Sequence, residues 1–233
     1  MKYDNVIQGT FIDRPNRFIA NVRIKVEGDV PDPVVRCHVK NTGRCREILV
    51  PGTKVVLQGS DSETRKTRYD LIAAYKGDML INIDSQAPNV VFGEYLRSSQ
   101  MFSDEAVVRP EYTHGDSRFD FYVEDGTRKV MIEVKGVTLE FDGVCMFPDA
   151  PTERGVKHLR GLAHAIDEGY ESMVCLIVQM KGMDHFIPNY ATHREFGEVL
   201  EDACSRGVVL KVLECHVEED GLEIIGEIPY RFE

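Results

Sequence analysis

The sequence predicts an α/β protein in two parts, a small β-barrel over residues 1–85 and a mixed-sheet domain over residues 86–233. Three observations predict this division. Short β-type runs separated by turns fill the chain to about residue 84, and helix and strand patterns alternate beyond that point. Residues 1–68 carry 13 Lys and Arg against 8 Asp and Glu, a net charge of +5, whereas the rest of the chain carries −16. Such a charge split is typical of two parts with different partners.

The first part shows five or six short strands and no convincing helix, a pattern typical of a small β-barrel such as an OB-fold. Alternating apolar and polar residues indicate the strands, and Gly, Pro and Asn mark the turns between them. The predicted strands are FIANVRIKV (18–26), VVRCHV (34–39), TKVVLQG (53–59), RYDLIAAY (68–75) and MLINI (79–83).

The second part has the pattern of a mixed sheet covered by helices, in the order helix, strand, strand, helix, strand, helix, strand, strand. Within the long helix, Pro151 and Thr152 mark the start, Gly169 marks the end, and Asp149 is predicted to cap the first turn. Helices are predicted over 89–101, 148–170 and 193–207, and strands over 118–136 (two, joined by a turn), 171–180, 208–217 and 222–228.

Composition limits the class of protein. At 42% hydrophobic and 29% charged residues, the 233-residue chain can bury a core. No apolar run approaches the roughly 18–20 residues that span a bilayer, so we expect no membrane partner. The first residues, MKYDNVIQGTF, lack the apolar segment of a secretory signal, and the six cysteines are spaced singly. We therefore expect a reduced, cytoplasmic protein.

Three charged residues interrupt two apolar strands in RFDFYVEDGTRKVMIEVKG (118–136). Asp125-Gly126 predicts a two-residue hairpin turn, which pairs Asp120 with Met131. Because side chains alternate along a strand, Asp120, Glu133 and Lys135 are predicted to share one face. The opposite, core-forming face is predicted to carry Phe119, Phe121, Val130, Ile132 and Val134.

Two carboxylates held close together repel each other unless a cation lies between them. A hard divalent ion suits such oxygen ligands, so the sequence predicts Mg²⁺ or Mn²⁺ at Asp120 and Glu133. Lys135 would orient an attacking water or stabilise charge on a phosphate, as in metal-assisted phosphodiester hydrolysis. The alternative for an E-x-K spacing on a strand is an exposed ion pair without catalysis.

The pattern D-(x12)-E-x-K on adjacent strands resembles the PD-(D/E)xK nuclease fold. The resemblance implies a catalytic site of Asp120, Glu133, Lys135 and Gln179, and a metal site of Glu94, Asp120 and Glu133. The whole chain resembles the sugar fermentation stimulation protein A (SfsA) family. The segments that carry this resemblance are HVKNTGRCREILVPGTKVVL (38–57), RFDF (118–121), IEVKGVTL (132–139), FPDAPTERGVKHL (147–159) and LIVQMKGMDHFIP (176–188).

The SfsA resemblance implies an OB-like domain followed by a nuclease-like domain in a DNA-binding protein linked by name to sugar-utilisation genes. Two functions stay open on this basis, a metal-dependent endonuclease and a non-catalytic DNA-binding regulator that retains the nuclease fold. The acidic second part supports a third, a scaffold that binds protein. The oligomeric state also stays open, with the terminal hairpin at 208–228 as a candidate surface for a homo-oligomer.

Basic residues predict a DNA partner, because phosphate contacts are made chiefly by Lys and Arg. The family loop HxxNTG is followed here by Arg44 and Arg46 in HVKNTGRCRE, which favours an anionic partner. Arg154 and Lys157 lie at the start of the long helix, where the helix N-terminus also favours phosphate. The predicted DNA contacts are Arg14, Arg17, Lys40, Arg44, Arg46, Arg65, Arg68, Arg154 and Lys157.

Overall fold

The N-terminal part is a closed barrel of five strands, as predicted. The computed structural model describes residues 1–26, 31–41, 43–62 and 64–232. The barrel strands are β1 (Val6–Asn16), β2 (Ile19–Ile24), β3 (Val34–Val39), β4 (Lys54–Gly59) and β5 (Tyr69–Lys76), and β6 (Met79–Asn82) extends the sheet beyond β5. All neighbours are antiparallel except β3 and β5, which run parallel and close the barrel. This arrangement is OB-like.

The second part is a six-stranded mixed sheet with helices on both faces. Its elements are α1 (Ala87–Ser98), β7 (Val107–His114), β8 (Ser117–Asp125), β9 (Arg128–Val137), β10 (Leu139–Phe141), β11 (Val144–Phe147), α2 (Glu153–Asp167), β12 (Glu171–Val178), β13 (His185–Pro188), α3 (Arg194–Ser205), β14 (Val209–Glu218) and β15 (Gly221–Glu227). The strand order is β15-β14-β12-β9-β8-β7, and β9, β12 and β14 are parallel. Helices α2 and α3 pack in one core cluster and α1 in another.

The three predicted helices are present, with shifted ends. The long helix begins later than predicted, because Thr152 caps it by accepting a 3.1 Å hydrogen bond from Gly155 N. Gly169, at φ +88°, follows its end as predicted. The prediction that Asp149 caps this helix is wrong, since its carboxylate accepts a 2.9 Å hydrogen bond from Arg44 N instead.

Several strands were not predicted from the sequence. Strand β1 contains Gly9, Asp13 and Pro15, which are typical of turns, and its pairing with β2 shifts register on either side of Asp13. Strands β10, β11 and β13 have three or four residues each, too short to show an alternating pattern. Together they form a small separate sheet, in which β11 and β13 are parallel.

The β8–β9 hairpin is offset by two residues from its predicted register. Asp125 pairs with Arg128, the turn is Gly126-Thr127, and Tyr122 rather than Asp120 faces Met131. Gly126 has φ +61°, a conformation that glycine adopts readily at a hairpin turn. An offset of two leaves the side chains of the paired residues, Phe121–Asp125 and Arg128–Ile132, on their predicted faces, because the side-chain period of a strand is two.

Phe119 does not lie on the predicted core face with Phe121. Its ring lies 6.4 Å from that of His158 on α2, whereas Phe121 packs against Phe92 on α1. The ladder between β8 and β9 ends at Phe121, and Glu111 on the neighbouring strand β7 has φ +55°. This local irregularity turns the residues before Phe121 out of the regular alternation.

A buried polar network joins the barrel to the second domain. Asp84 is 2% exposed and accepts hydrogen bonds from Tyr3 Oη (3.3 Å) and Lys40 Nζ (3.0 Å). Gln179 Nε2 donates to Asn82 Oδ1 (2.8 Å) and to Asp84 O (3.0 Å), and Asn82 N donates to Gln179 O (2.9 Å). The end of the barrel is therefore fixed to the residue that follows β12.

Within the described ranges, no helix is long and apolar enough to cross a membrane. All six cysteines are free thiols, and five of them are buried. Buried thiols of this kind behave as small apolar side chains in the two core clusters.

Asp70 supports the seam at which β3 and β5 close the barrel. Its buried carboxylate lies 3.3 Å from His38 Nδ1 and 3.8 Å from Lys40 Nζ, and it accepts a 3.0 Å hydrogen bond from Arg65 Nη1. Burial raises the pKa of Asp70, but the hydrogen bond to Arg65 and the neighbouring positive charges outweigh it and hold the pKa below its usual value.

We expect Asp70→Asn to reduce the free energy of unfolding by about 2 kcal/mol near neutral pH, because charged hydrogen bonds across the seam are lost. A carboxyl whose pKa is lowered by folding contributes stability above its unfolded pKa, and this contribution disappears as the pH falls through the folded value. The difference between wild type and variant should therefore shrink below about pH 4 in urea unfolding measured across pH. A difference that stays constant with pH would contradict this role.

Candidate functional site

Strands β8 and β9 and helix α2 bring charged groups together beside the sheet. Glu133 is 1% exposed, and its Oε1 accepts hydrogen bonds from Lys135 Nζ and from His158 Nδ1. Arg154 Nε donates to His158 Nε2 at 3.4 Å, which assigns the proton of a neutral His158 to Nδ1. The other carboxylate oxygen, Glu133 Oε2, has no hydrogen-bond partner within the described part of the chain.

Glu133 is held ionised despite its burial. Burial raises the pKa of the carboxyl, but the hydrogen bond from His158 and the charge and hydrogen bond of Lys135 outweigh it, so the pKa of Glu133 lies below its usual value. The region therefore contains a buried negative charge, one oxygen of which receives no hydrogen bond from the described residues.

Asp120 lies where β8 and β9 separate. Its Oδ2 accepts a 2.7 Å hydrogen bond from Val134 N, and its Oδ1 accepts a 2.8 Å hydrogen bond from Asn89 Nδ2 at the start of α1. Burial and the charge of Glu133 raise the pKa of Asp120, although Lys135 and these hydrogen bonds oppose the increase. The charge of Glu133 therefore contributes to the raised pKa of Asp120.

The donor set at Asp120 and Glu133 fits a hard divalent cation. A buried carboxylate oxygen without a partner is costly, and a cation would satisfy Glu133 Oε2 directly. Each oxygen of Asp120 accepts one hydrogen bond and keeps further lone-pair capacity. Carboxylate oxygens are the ligands preferred by Mg²⁺, Mn²⁺ and Ca²⁺.

His158 and Asn89 are the site residues that the sequence did not assign to the carboxylates. His158 lies three residues after Gly155 and four before Leu162, so it falls on the buried face of α2. Helical spacing alone could have placed it there, whereas the contact between Asn89 and Asp120 depends on how α1 packs against the sheet.

Gln179 is placed beside the site but bonded to the barrel. Its side chain is 1% exposed, and both hydrogen bonds of Nε2 go to the network at Asn82 and Asp84. Its Oε1 points at Gly136, where a Cβ atom would lie only 2.3 Å away. The absence of a side chain at Gly136 therefore makes room for this amide.

The structure does not bring Glu94 to the predicted metal site. Its carboxylate lies 2.7 Å from the amino group of Met1, and it lines a pocket with His216 and Glu218. Asn89, which is five residues earlier on α1, occupies the face that meets Asp120.

Three of the side chains predicted to contact DNA instead form hydrogen bonds or ion pairs within the protein. Arg14 donates to four backbone carbonyls, those of Arg17, Asn41, Gly43 and Arg44. Lys40 pairs with Asp84 and Asp70, and Arg65 pairs with Asp70. These side chains stabilise the barrel and its loop, so the structure does not support them as DNA contacts.

The other predicted DNA contacts are exposed. Arg17 stacks on the exposed ring of Phe18 at 4.7 Å, and Lys157 Nζ donates to the backbone oxygen of Asp116. The Arg14 contacts fix the loop that presents Arg44 and Arg46. The exposed set is Arg17, Arg44, Arg46, Arg68, Arg154 and Lys157.

A second acidic cluster does not fit a metal. Glu153, His193 and Glu195 offer ligand atoms within 4.8 Å of one another. However, His193 Nδ1 accepts from Thr152 N at 3.2 Å, so the ring proton lies on Nε2, which faces Glu153 at 3.5 Å. Glu195 already pairs with Arg160 at 2.7 Å.

Comparisons with known proteins agree with this two-part architecture. The family model described as the SfsA N-terminal OB domain matches residues 12–83, and that of the sugar fermentation stimulation protein RE domain matches residues 86–221. The chain is similar in fold to Pyrococcus furiosus SfsA, solved in complex with Ca²⁺, at a TM-score of 0.87 and 25% identity, covering 99% of this chain and 98% of that one.

Two curated relatives extend the similarity over nearly the full length. The sugar fermentation stimulation protein homolog of Desulfitobacterium hafniense (strain Y51) is 53% identical over 223 residues, covering 96% of this chain and 95% of the relative. The homolog of Ruminiclostridium cellulolyticum (strain ATCC 35319 / DSM 5812 / JCM 6584 / H10) is 49% identical over 231 residues, covering 99% and 100%. The chain therefore belongs to the sugar fermentation stimulation protein (SfsA) family.

Proposed function

We propose that this protein binds DNA and hydrolyses phosphodiester bonds at a divalent-cation site formed by Asp120 and Glu133. The observation that carries the proposal is Glu133 Oε2, a buried carboxylate oxygen without a hydrogen-bond partner among the described residues, beside a second carboxylate. The Ca²⁺ in the P. furiosus relative supports a hard divalent ion in this family. Mg²⁺ or Mn²⁺ would suit the same oxygen ligands.

The residues around the ion site take distinct roles in this proposal. Asp120 and Glu133 would hold the cation, which would supply Lewis-acid stabilisation of a phosphate. His158 fixes the orientation of Glu133 through its Nδ1 proton. Lys135 neutralises the Glu133 charge in the free protein and would exchange that contact for a phosphate oxygen when DNA is bound.

The exposed arginines support DNA as the substrate. Arg44 and Arg46 lie on the loop held by Arg14 and by the hydrogen bond from Arg44 N to Asp149. Arg154 lies in the first turn of α2, one turn before His158. Exposed positive side chains therefore lie on the barrel loop and in the first turn of α2, where they would offset the acidic charge of the second domain.

A second candidate function is a DNA-binding regulator without catalysis. The specific observation in its favour is that Lys135 and His158 already hydrogen-bond Glu133, so its charge is largely balanced without an ion. Both candidates require DNA binding, and they differ in whether Lys135 and Glu133 are needed for bond cleavage.

The cation site predicts that Glu133→Gln weakens Mn²⁺ binding by at least about tenfold in isothermal calorimetry, because a charged ligand is lost. Glu94→Gln is the matched control and should bind as wild type does, since Glu94 lies away from the site. The affinity for Mn²⁺ should also fall as the pH is lowered toward the raised pKa of Asp120, because protons then compete with the ion for the carboxylate. Equal affinity in wild type and Glu133→Gln would overturn the assignment.

Catalysis predicts that wild type nicks plasmid or single-stranded DNA in Mg²⁺ or Mn²⁺, and that Lys135→Ala loses at least about a hundredfold in rate while keeping its metal affinity. Gel analysis of the products measures this loss. If wild type and Lys135→Ala both leave DNA intact while both retain it, the non-catalytic regulator is the correct function.

DNA binding predicts a salt dependence set by the exposed loop. Neutralising Arg44 and Arg46 to Gln should weaken binding to every sequence and lower the slope of log affinity against log salt by about 2. Fluorescence anisotropy over a salt series measures the slope. Arg194→Gln, which removes an exposed arginine paired with Glu198 on α3, is the control and should leave the slope unchanged. An unchanged slope in the double variant would exclude the loop from the interface.

A further inference from the structure

A polar cleft lies between the barrel and the second domain, beside the end of the E-x-K strand. It has a volume of about 440 Å³, which is in the range of sites for small organic ligands. The barrel contributes Arg17 and Asn41, the end of β9 and the residue after it contribute Gly136 and Thr138, and the segment 147–152 contributes another wall. Gln179 also lines it, so the cleft adjoins the network that joins the two domains.

Three side chains that line this cleft keep hydrogen-bonding capacity that no described residue uses. Gln179 is buried, and both hydrogen bonds of its side chain are donated by Nε2. Its Oε1 has no hydrogen-bond partner among the described residues. Asp149 accepts from Arg44 N through Oδ2, which leaves Oδ1 available. Thr138 is also buried, and its hydroxyl forms no hydrogen bond within the described ranges.

Apolar and basic groups complete the lining. Phe147 packs edge-on against Phe196, with ring centroids 5.1 Å apart, and the next residue in the wall is Pro148. These rigid apolar surfaces suit a planar heterocycle. Arg17 forms no ion pair within the described part of the chain, so its guanidinium is available to a phosphate.

We propose that this cleft holds one unstacked nucleobase and selects guanine. Guanine presents the N1 and N2 hydrogens on its Watson–Crick edge, which match the acceptors Gln179 Oε1 and Asp149 Oδ1, and its O6 can accept from the Thr138 hydroxyl. Thymine presents one N–H between two carbonyls and matches this set poorly. The inference rests on the proposed function in taking nucleic acid as the ligand, with a free guanine nucleotide as the other source of the same chemistry.

The test is a competition measured by fluorescence anisotropy at fixed salt with the full-length protein. A labelled all-thymidine oligonucleotide is displaced by the same strand, by a strand with a single guanosine at either end or in the middle, and by free GMP or TMP. A guanosine-containing strand should compete about tenfold better than the all-thymidine strand, since one matched base edge has that effect. Equal competition by all strands and both nucleotides would overturn the proposal.

Asp149→Asn replaces one hydrogen-bond acceptor of the cleft with a donor. The new side chain can still accept from Arg44 N through its oxygen, so its amide group places a donor where Asp149 Oδ1 was. The preference for guanosine-containing strands should be lost, and the all-thymidine strand should bind more tightly than it does to wild type. Asp104→Asn removes the same charge from an exposed loop and should retain the wild-type preference. Guanosine preference that survives Asp149→Asn would contradict the assignment.

Thr138→Val provides a second variant that conserves shape. It should reduce guanosine preference by about threefold without changing the unfolding midpoint by more than a few degrees, because only a hydroxyl is lost. Stable protein that keeps the full preference would count against the role of Thr138 and against guanine O6 as its partner.

The outcomes separate this inference from the proposed function. Competition by GMP equal to that of the guanosine strand would support the cleft and identify a free nucleotide as its ligand. Mn²⁺ binding that depends on Glu133, without base preference, would overturn the inference alone. Base preference that depends on Asp149, without Mn²⁺ binding at Glu133, would support the inference and overturn the cation site.

Discussion

One buried negative charge sets the requirements that the second domain has to meet. Glu133 lies in the central part of the sheet, where water cannot solvate it, so the protein has to supply donors. Lys135 donates from the same strand, and His158 donates from α2. The hydrogen bond from His158 requires α2 to direct this residue toward the sheet. Both donors serve one oxygen of the carboxylate. The other oxygen stays without a partner in the described structure, and this imbalance is the observation on which the proposed cation site rests.

Several positive side chains of the barrel are engaged in contacts within the protein. Arg14 and Arg65 carry full charges, yet the first holds backbone carbonyls of a loop and the second balances Asp70 at the barrel seam. Arg44 and Arg46, in contrast, are exposed on that loop, and the backbone N–H of Arg44 donates to Asp149. A count of basic residues along the chain therefore overstates the surface available to a polyanion, since an arginine engaged by carbonyls or carboxylates has little left to offer a phosphate.

Much of the architecture was predictable, because periodicity reports burial directly. The turn is Gly126-Thr127 and not Asp125-Gly126, yet an offset of two conserves the face of every residue that remains paired between β8 and β9. Contacts between distant segments were not predictable. Asp149 bonds to a barrel loop, and Glu94 faces the amino group of Met1. Such contacts depend on how elements pack together, and no local pattern encodes that.

The polar network at the domain junction limits how this protein can be dissected. Asn82 and Asp84 belong to the barrel segment, and Gln179 belongs to the mixed-sheet segment, but their hydrogen bonds form one buried unit. The N-terminal Tyr3 also donates its backbone N–H to Asp220 O at 2.6 Å, near the far end of the chain. Truncation to either segment would strip buried amides and carboxylates of their partners. The role of each domain is therefore better tested by point substitutions in the intact chain than by isolated fragments.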